Sequence, residues 1–126
     1  MRQALIFKDD EYHFDVDTLK QFSLMDELNY TYLCILLQRA RFSAVKAGQH
    51  LSADYEPESM VYLLKGRAII KNEGKEHYID EAYKAPLLEK NSHTEVLFTD
   101  DSFLVRIERP LYEIFNKSSA FNRVLY

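Results

Sequence analysis

The chain has 126 residues, the size of one domain, and is 47% apolar and 29% charged with both signs interspersed, which excludes a disordered tail and supplies one hydrophobic core. Its formal charge of −4, without clustered Lys or Arg, excludes a phosphate-neutralising surface, so no direct nucleic-acid partner is expected. One cysteine, Cys34, builds neither a disulfide framework nor a thiolate zinc cluster, and the absence of an apolar leader or a membrane-length apolar run predicts a cytoplasmic chain with no membrane partner.

In chain order, Asp17 is placed to cap a short helical segment carrying Leu19 and Phe22. A second helix is predicted from Asp26 or Asn29, because Leu33, Leu36, Leu37 and Ala40 recur at i, i+3, i+4, i+7. From Arg41 the period changes to two. Met60 to Leu64, Arg67 to Lys71 and Glu76 to Ile79 read as strands, joined by tight turns at Lys65-Gly66 and at Asn72-Glu73-Gly74-Lys75. After Pro86, Thr94 to Phe98 and Phe103 to Ile107 read as two more strands, with Thr99 to Ser102 as the turn and Phe103, Val105 and Ile107 on one face. Pro110 suits the first turn of a final helix with Leu111, Ile114 and Phe115 as its stripe, and Ser118-Ser119 weakens that helix. The chain therefore reads as a single domain, 1–126, with a core of about 17–117 and a docking or dimerisation tail at 118–126.

Four stretches in this order carry a resemblance: Leu19 to Leu28, Val45 to Leu51 (VKAGQHL), Val61 to Ile70 (VYLLKGRAII) and Phe103 to Phe115 (FLVRIERPLYEIF). The most specific parts are Ala47-Gly48-Gln49 before a strand and the Tyr62 to Gly66 hairpin with Ala68 two positions on. Together they resemble the cyclic-nucleotide-binding domain of catabolite-activator-type regulators and kinase regulatory subunits, over about Leu19 to Lys117. The resemblance implies a mainly β fold with flanking α-helices, a double-stranded β-helix or jelly roll.

In that family a phosphate-binding cassette holds the nucleotide, with a Phe-Gly-Glu for the ribose hydroxyl and a downstream arginine for the cyclic phosphate. The chemistry needs backbone N–H groups at a helix start and a planar guanidinium fork. Between Tyr83 and Val96 this chain reads YKAPLLEKNSHTEV, with no glycine, no Phe-Gly-Glu and no arginine. Alignment puts Ser92 at the arginine position, followed by His93 and Thr94. A neutral serine contact supplies about 1 kcal/mol, well below a charge-assisted bidentate pair. The form of the departure, with Ala85-Pro86-Leu87 and then Thr94-Glu95-Val96, is similar to bacterial cyclic-nucleotide-binding-like domains with degenerate cassettes that sit beside other signalling modules.

The candidate ligand contacts are therefore Lys84, Ser92, His93 and Thr94, with Lys90 as a further anion partner. A cupin alternative needs a metal held by histidines, but His13, His50, His77 and His93 are all more than two residues apart. Cys34 among leucines reads as an inert small hydrophobe, and the adjacent carboxylates Asp9-Asp10, Asp80-Glu81 and Asp100-Asp101 read as turns and strand ends, so no catalytic residue is expected. Nine tyrosines and eight phenylalanines exceed what one small core holds with every hydroxyl paired, which places several on the surface. The candidate interaction surface is Leu111, Ile114, Phe115, Phe121, Val124 and Leu125.

These observations predict a non-catalytic regulatory, sensory or protein-interaction module without tight binding of cyclic AMP or cyclic GMP, and without cofactor or metal. Its expected partner is a protein, as a homodimer or another regulatory or effector domain. The alternatives are a sensor for a non-standard nucleotide or other small anionic ligand and, below that, a small cupin.

Overall fold

The computed structural model describes residues 3–7, 10–53, 57–88 and 93–125, with side chains described for 14–53, 57–88 and 93–118. The chain opens with a hairpin of β1 (Gln3–Phe7) and β2 (Asp10–Phe14), in which Phe7 lies opposite Asp10. This hairpin was not expected from the residues. Next come α1 (Val16–Leu19), a 3₁₀ turn at Met25–Glu27 and α2 (Tyr30–Arg39). The cap of α1 is Asp15, not Asp17: extended backbone at Asp15 lets its carboxylate accept from the Thr18 N–H at 3.0 Å and the Thr18 hydroxyl at 3.1 Å. Asp17 instead lies in the first turn, where its charge complements the helix dipole. Asn29 caps α2 through the Tyr32 N–H at 2.9 Å, and Leu33, Leu36 and Leu37 form the buried stripe that their spacing predicts.

Seven strands follow: β3 (Arg41–Val45), β4 (His50–Ser52), β5 (Ser59–Lys65), β6 (Ala68–Asn72), β7 (Lys75–Ile79), β8 (Glu95–Phe98) and β9 (Ser102–Glu108). They form two antiparallel sheets, ordered β3-β9-β5 and β4-β8-β6-β7, and α3 (Arg109–Leu125) closes the chain. This is the mainly β roll with flanking helices that the sequence implies. α3 runs straight through Ser118-Ser119, because serine in a helix costs only a few tenths of a kcal/mol against better formers.

Two apolar clusters hold the layers together. One lies between the three-stranded sheet and the helices, joining Phe14, Leu19, Phe22, Leu33, Met60, Tyr62, Val105 and Ile107. The other fills the roll between the sheets, with Val61, Leu63, Ala68, Ile70, Val96, Phe98 and Leu104. Strand β5 serves both: Met60, Tyr62 and Leu64 face the helices while Val61 and Leu63 face the roll, so every residue from Ser59 to Leu64 is buried. Phe103, Val105 and Ile107 share the helix-side face as expected, and Leu104 points the other way. Tyr62 is fully buried and its hydroxyl donates to the Ser23 carbonyl at 2.8 Å, and burial pushes its phenol well above the ordinary tyrosine range.

Two turns need unusual backbone. Glu73 and Gly74 both take positive φ, 50° and 78°, the arrangement of a two-residue hairpin between β6 and β7. Gly66, at φ 117°, crosses so close to β9 that an added Cβ would lie 2.0 Å from Ser102 Oγ.

Candidate functional site

The segment after β7 occupies the place where the resemblance puts the cassette. Asp80 starts it, accepting from the Ala82 N–H through Oδ1 at 2.9 Å and from the Tyr83 N–H through its carbonyl at 3.0 Å. Two backbone bonds then fasten it to the body: Ser23 N–H to Lys84 C=O at 2.8 Å and Leu87 N–H to Val61 C=O at 2.8 Å. The second bond delivers Leu87 and Leu88, 1% and 3% exposed, into the roll's apolar cluster. Full burial of a leucine contributes about 1.5–3 kcal/mol, so this segment is part of the core and not a loop laid over it.

Of the candidate contacts, Lys84 and Thr94 stand in different surroundings. Lys84 turns toward the helices, its Nζ 4.9 Å from the centre of the Phe22 ring. Thr94 is 1% exposed and lines a cleft of about 420 Å³ with Ile70, Asn72, His77, Pro86 and Leu87. Its carbonyl accepts from the Ala53 N–H at 3.2 Å. His93 is exposed at the start of the following stretch, and Ser92, like Lys90, lies outside the described residues. No Lys or Arg is among the described residues lining the cleft. The same described residues hold no group of three or more His, Cys, Asp or Glu that could ligate a metal.

On the helical side, Leu111 and Phe115 pack back on the core, and Phe115 stacks on Tyr32 with ring centres 4.2 Å apart and planes 3° from parallel. Ile114 is 58% exposed, while the side chains of Phe121, Val124 and Leu125 lie outside the described residues although α3 carries their backbone. Among the tyrosines, Tyr30 and Tyr78 are exposed, whereas Tyr62 and Tyr112 are buried.

Sequence reasoning missed one contact at the junction of β9 and α3. Arg39, in the last turn of α2, forks onto both carboxylate oxygens of Glu108, with Nη2 to Oε1 at 2.9 Å. The two residues are 69 positions apart, and no local spacing pairs them. The hydrogen bond from Arg39 holds the Glu108 carboxyl below its ordinary range. A depressed carboxylate pKa contributes stability above the unfolded value and loses it as pH falls through the folded one. The Glu108 side-chain carbon resonance is therefore expected to titrate below the ordinary glutamate midpoint in the wild type and to move up toward it in Arg39→Ala; identical midpoints would show the ion pair absent in solution.

With this geometry in place, comparison with solved structures assigns the class: the chain has the fold of cyclic-nucleotide-binding domains. The sensor domain of the transcriptional regulator DNR from Pseudomonas aeruginosa superposes with TM-score 0.65 at 16% identity, covering 87% of this chain and 88% of that one. The regulatory domain of Toxoplasma gondii PKA, crystallised with cAMP, superposes with TM-score 0.61 at 15% identity over 88% of this chain and 47% of that one. The regulatory subunit of a cAMP-independent protein kinase A from Trypanosoma cruzi, bound to guanosine, does so with TM-score 0.62 at 15% identity over 79% and 39%. The chain thus spans most of the DNR sensor domain and less than half of each kinase regulatory structure. No family model and no curated protein matches it.

Proposed function

We propose that this chain is a non-catalytic regulatory module that works through a protein partner and has given up tight binding of cyclic AMP and cyclic GMP. The observation that carries the reading is the pair Leu87 and Leu88, which fill the roll from the segment where the family keeps its phosphate receptor. The absence of arginine from Tyr83 to Val96 removes the guanidinium fork as well. That the DNR structure is a sensor domain and the kinase structures are regulatory supports a regulatory role. Among the described residues no helix is long and apolar enough to cross a membrane.

A ligand at 100 times its dissociation constant adds about 2.7 kcal/mol, which for a domain of this size raises the melting temperature by about 10 °C. Millimolar cyclic AMP and cyclic GMP are expected to leave it unchanged; a shift of that size with either overturns the reading. A second reading, a small-molecule sensor, is favoured by the 420 Å³ cleft. Its described lining lacks Lys and Arg, which favours an uncharged ligand over an anion, so guanosine belongs in the same panel and a shift with it alone selects this reading.

The tail supplies the route to a protein partner. Ile114, Ser118, Phe121 and Leu125 follow the 4-3-4 spacing of a coiled-coil seam along α3. Sedimentation is expected to show a concentration-dependent dimer that Ile114→Glu dissociates; an unchanged sedimentation coefficient in that variant removes α3 as the interface.

A further inference from the structure

Strand β7 ends its sheet: among the described strands it is paired with β6 alone. The two-residue turn at Glu73-Gly74 makes Asn72 and Lys75 the hydrogen-bonded pair that closes the hairpin. By alternation, the N–H and C=O of His77 and Ile79 also face β6, and those of Glu76 and Tyr78 face away from the sheet. Lys75, Glu76, His77 and Tyr78 are all exposed, and Tyr78 is 77% exposed, the highest value among the large apolar side chains described.

Two other edges, those of β5 and β4, are less open. The backbone of β5 already receives the Leu87 N–H at Val61, and β4 has three residues. Beside β7, two depressions share Tyr78 and Ile79. One is the 420 Å³ cleft, apolar through Ile70, Ile79, Pro86 and Leu87. The other, about 750 Å³, carries the carboxylates of Asp80 and Asp100 against one guanidinium, Arg67, which stands 3.9 Å from Asp100.

We propose that β7 is a docking edge for an extended segment of a partner protein, which adds as a fifth strand to this sheet. Its backbone pairs with the N–H and C=O of Glu76 and Tyr78. A β-branched or aromatic residue of the segment enters the apolar cleft, where a pleated strand sends alternate side chains to that face. A Lys or Arg on the other face lies over the Tyr78 ring and is drawn by the carboxylate excess at Asp80 and Asp100. Backbone pairing supplies affinity, and the apolar and basic pockets supply selectivity.

Amide hydrogen exchange on the full chain, followed by selection of random ten-residue peptides displayed on phage, tests this. In the free chain the amides of Glu76 and Tyr78 exchange at least tenfold faster than those of His77 and Ile79. Selected peptides combine a basic residue with β-branched or aromatic ones, and a bound peptide slows both outward amides at least tenfold. Glu76→Pro removes a donor that the β6–β7 ladder does not use, so it weakens peptide binding at least tenfold while the melting temperature stays within a few degrees. Protection of both amides in the free chain, enrichment of acidic peptides, failure to enrich any peptide, or a selected peptide that leaves the amides unslowed each overturns the proposal. Should Glu76→Pro fail to fold, the exchange data on the wild-type chain decide alone.

Discussion

Gly66→Ala is expected to lower stability by about 3–5 kcal/mol, the sum of backbone strain and overpacking at one atom. At φ 117° the position lies where only glycine rests without strain. The added Cβ would also stand 2.0 Å from Ser102 Oγ, 2.6 Å from its Cβ and 2.9 Å from its Cα, so rotating the serine side chain does not relieve the clash. Ser102 cannot retreat: it is 1% exposed, pairs with Val45 in the sheet, and its hydroxyl donates to the Asp100 carbonyl at 2.8 Å. Thermal unfolding should show a drop of roughly 10–20 °C. Gly74→Ala is the contrast, because at φ 78° a Cβ there meets nothing within 4 Å and only the left-handed backbone opposes it, at about 1–2 kcal/mol. Equal losses at the two glycines would mean that the approach of the β5–β6 turn to β9 is absent in solution.

Leu87→Ala is expected to cost about 3 kcal/mol, within the 2–5 kcal/mol range of leucine truncations in well-packed cores. Its side chain is 1% exposed among Val61, Leu63, Ile70 and Val96, and its backbone N–H is tied to Val61, so the surroundings cannot collapse without breaking that bond. A surface loop predicts a change within about 0.5 kcal/mol, the value expected for His93→Ala on the exposed residue nearby. Denaturant unfolding of the two variants separates these outcomes. A near-neutral Leu87→Ala would detach the segment from the core and remove the basis for a roll closed to cyclic nucleotides.

The elements that were legible beforehand are those whose signal is local. Leu33, Leu36 and Leu37 declare the buried face of α2 because their spacing equals one helical face, whatever the helix packs against. Glu73-Gly74 declares its hairpin because positive φ is a property of a residue and its two dihedrals, and Gly66 marks a turn in the same way. But β5 and β6 go to different sheets, so the hairpin expected at Lys65-Gly66 is a crossing from one sheet to the other. Misreading came where a residue's partner is distant or several polar residues compete. Asp15 and Asp17 are both acceptable caps by type, and only the extended backbone at Asp15 chooses between them. Leu111, Ile114 and Phe115 formed one candidate surface, yet stacking of Phe115 on Tyr32 across to α2 leaves Ile114 as the exposed member. The candidate contacts shared a stretch of sequence, but Lys84 is drawn to the Phe22 ring while Thr94 lines the cleft.

From the residues alone came the helices, most strand positions, the turn between β6 and β7 and the lack of arginine between Tyr83 and Val96, since periodicity, backbone preference and side-chain charge are written position by position. The closing of the strands into a jelly roll came from the family resemblance. The tertiary structure decided that Leu87 and Leu88 enter the core, that Arg39 clasps Glu108 and that β7 ends a sheet. Each of these depends on segments far apart in the chain: Val61 reaches Leu87 across the β6–β7 hairpin, and Arg39 reaches Glu108 across the whole roll. Burial and pairing at such separations are set by how the two sheets close on one another, and no local pattern encodes that closure.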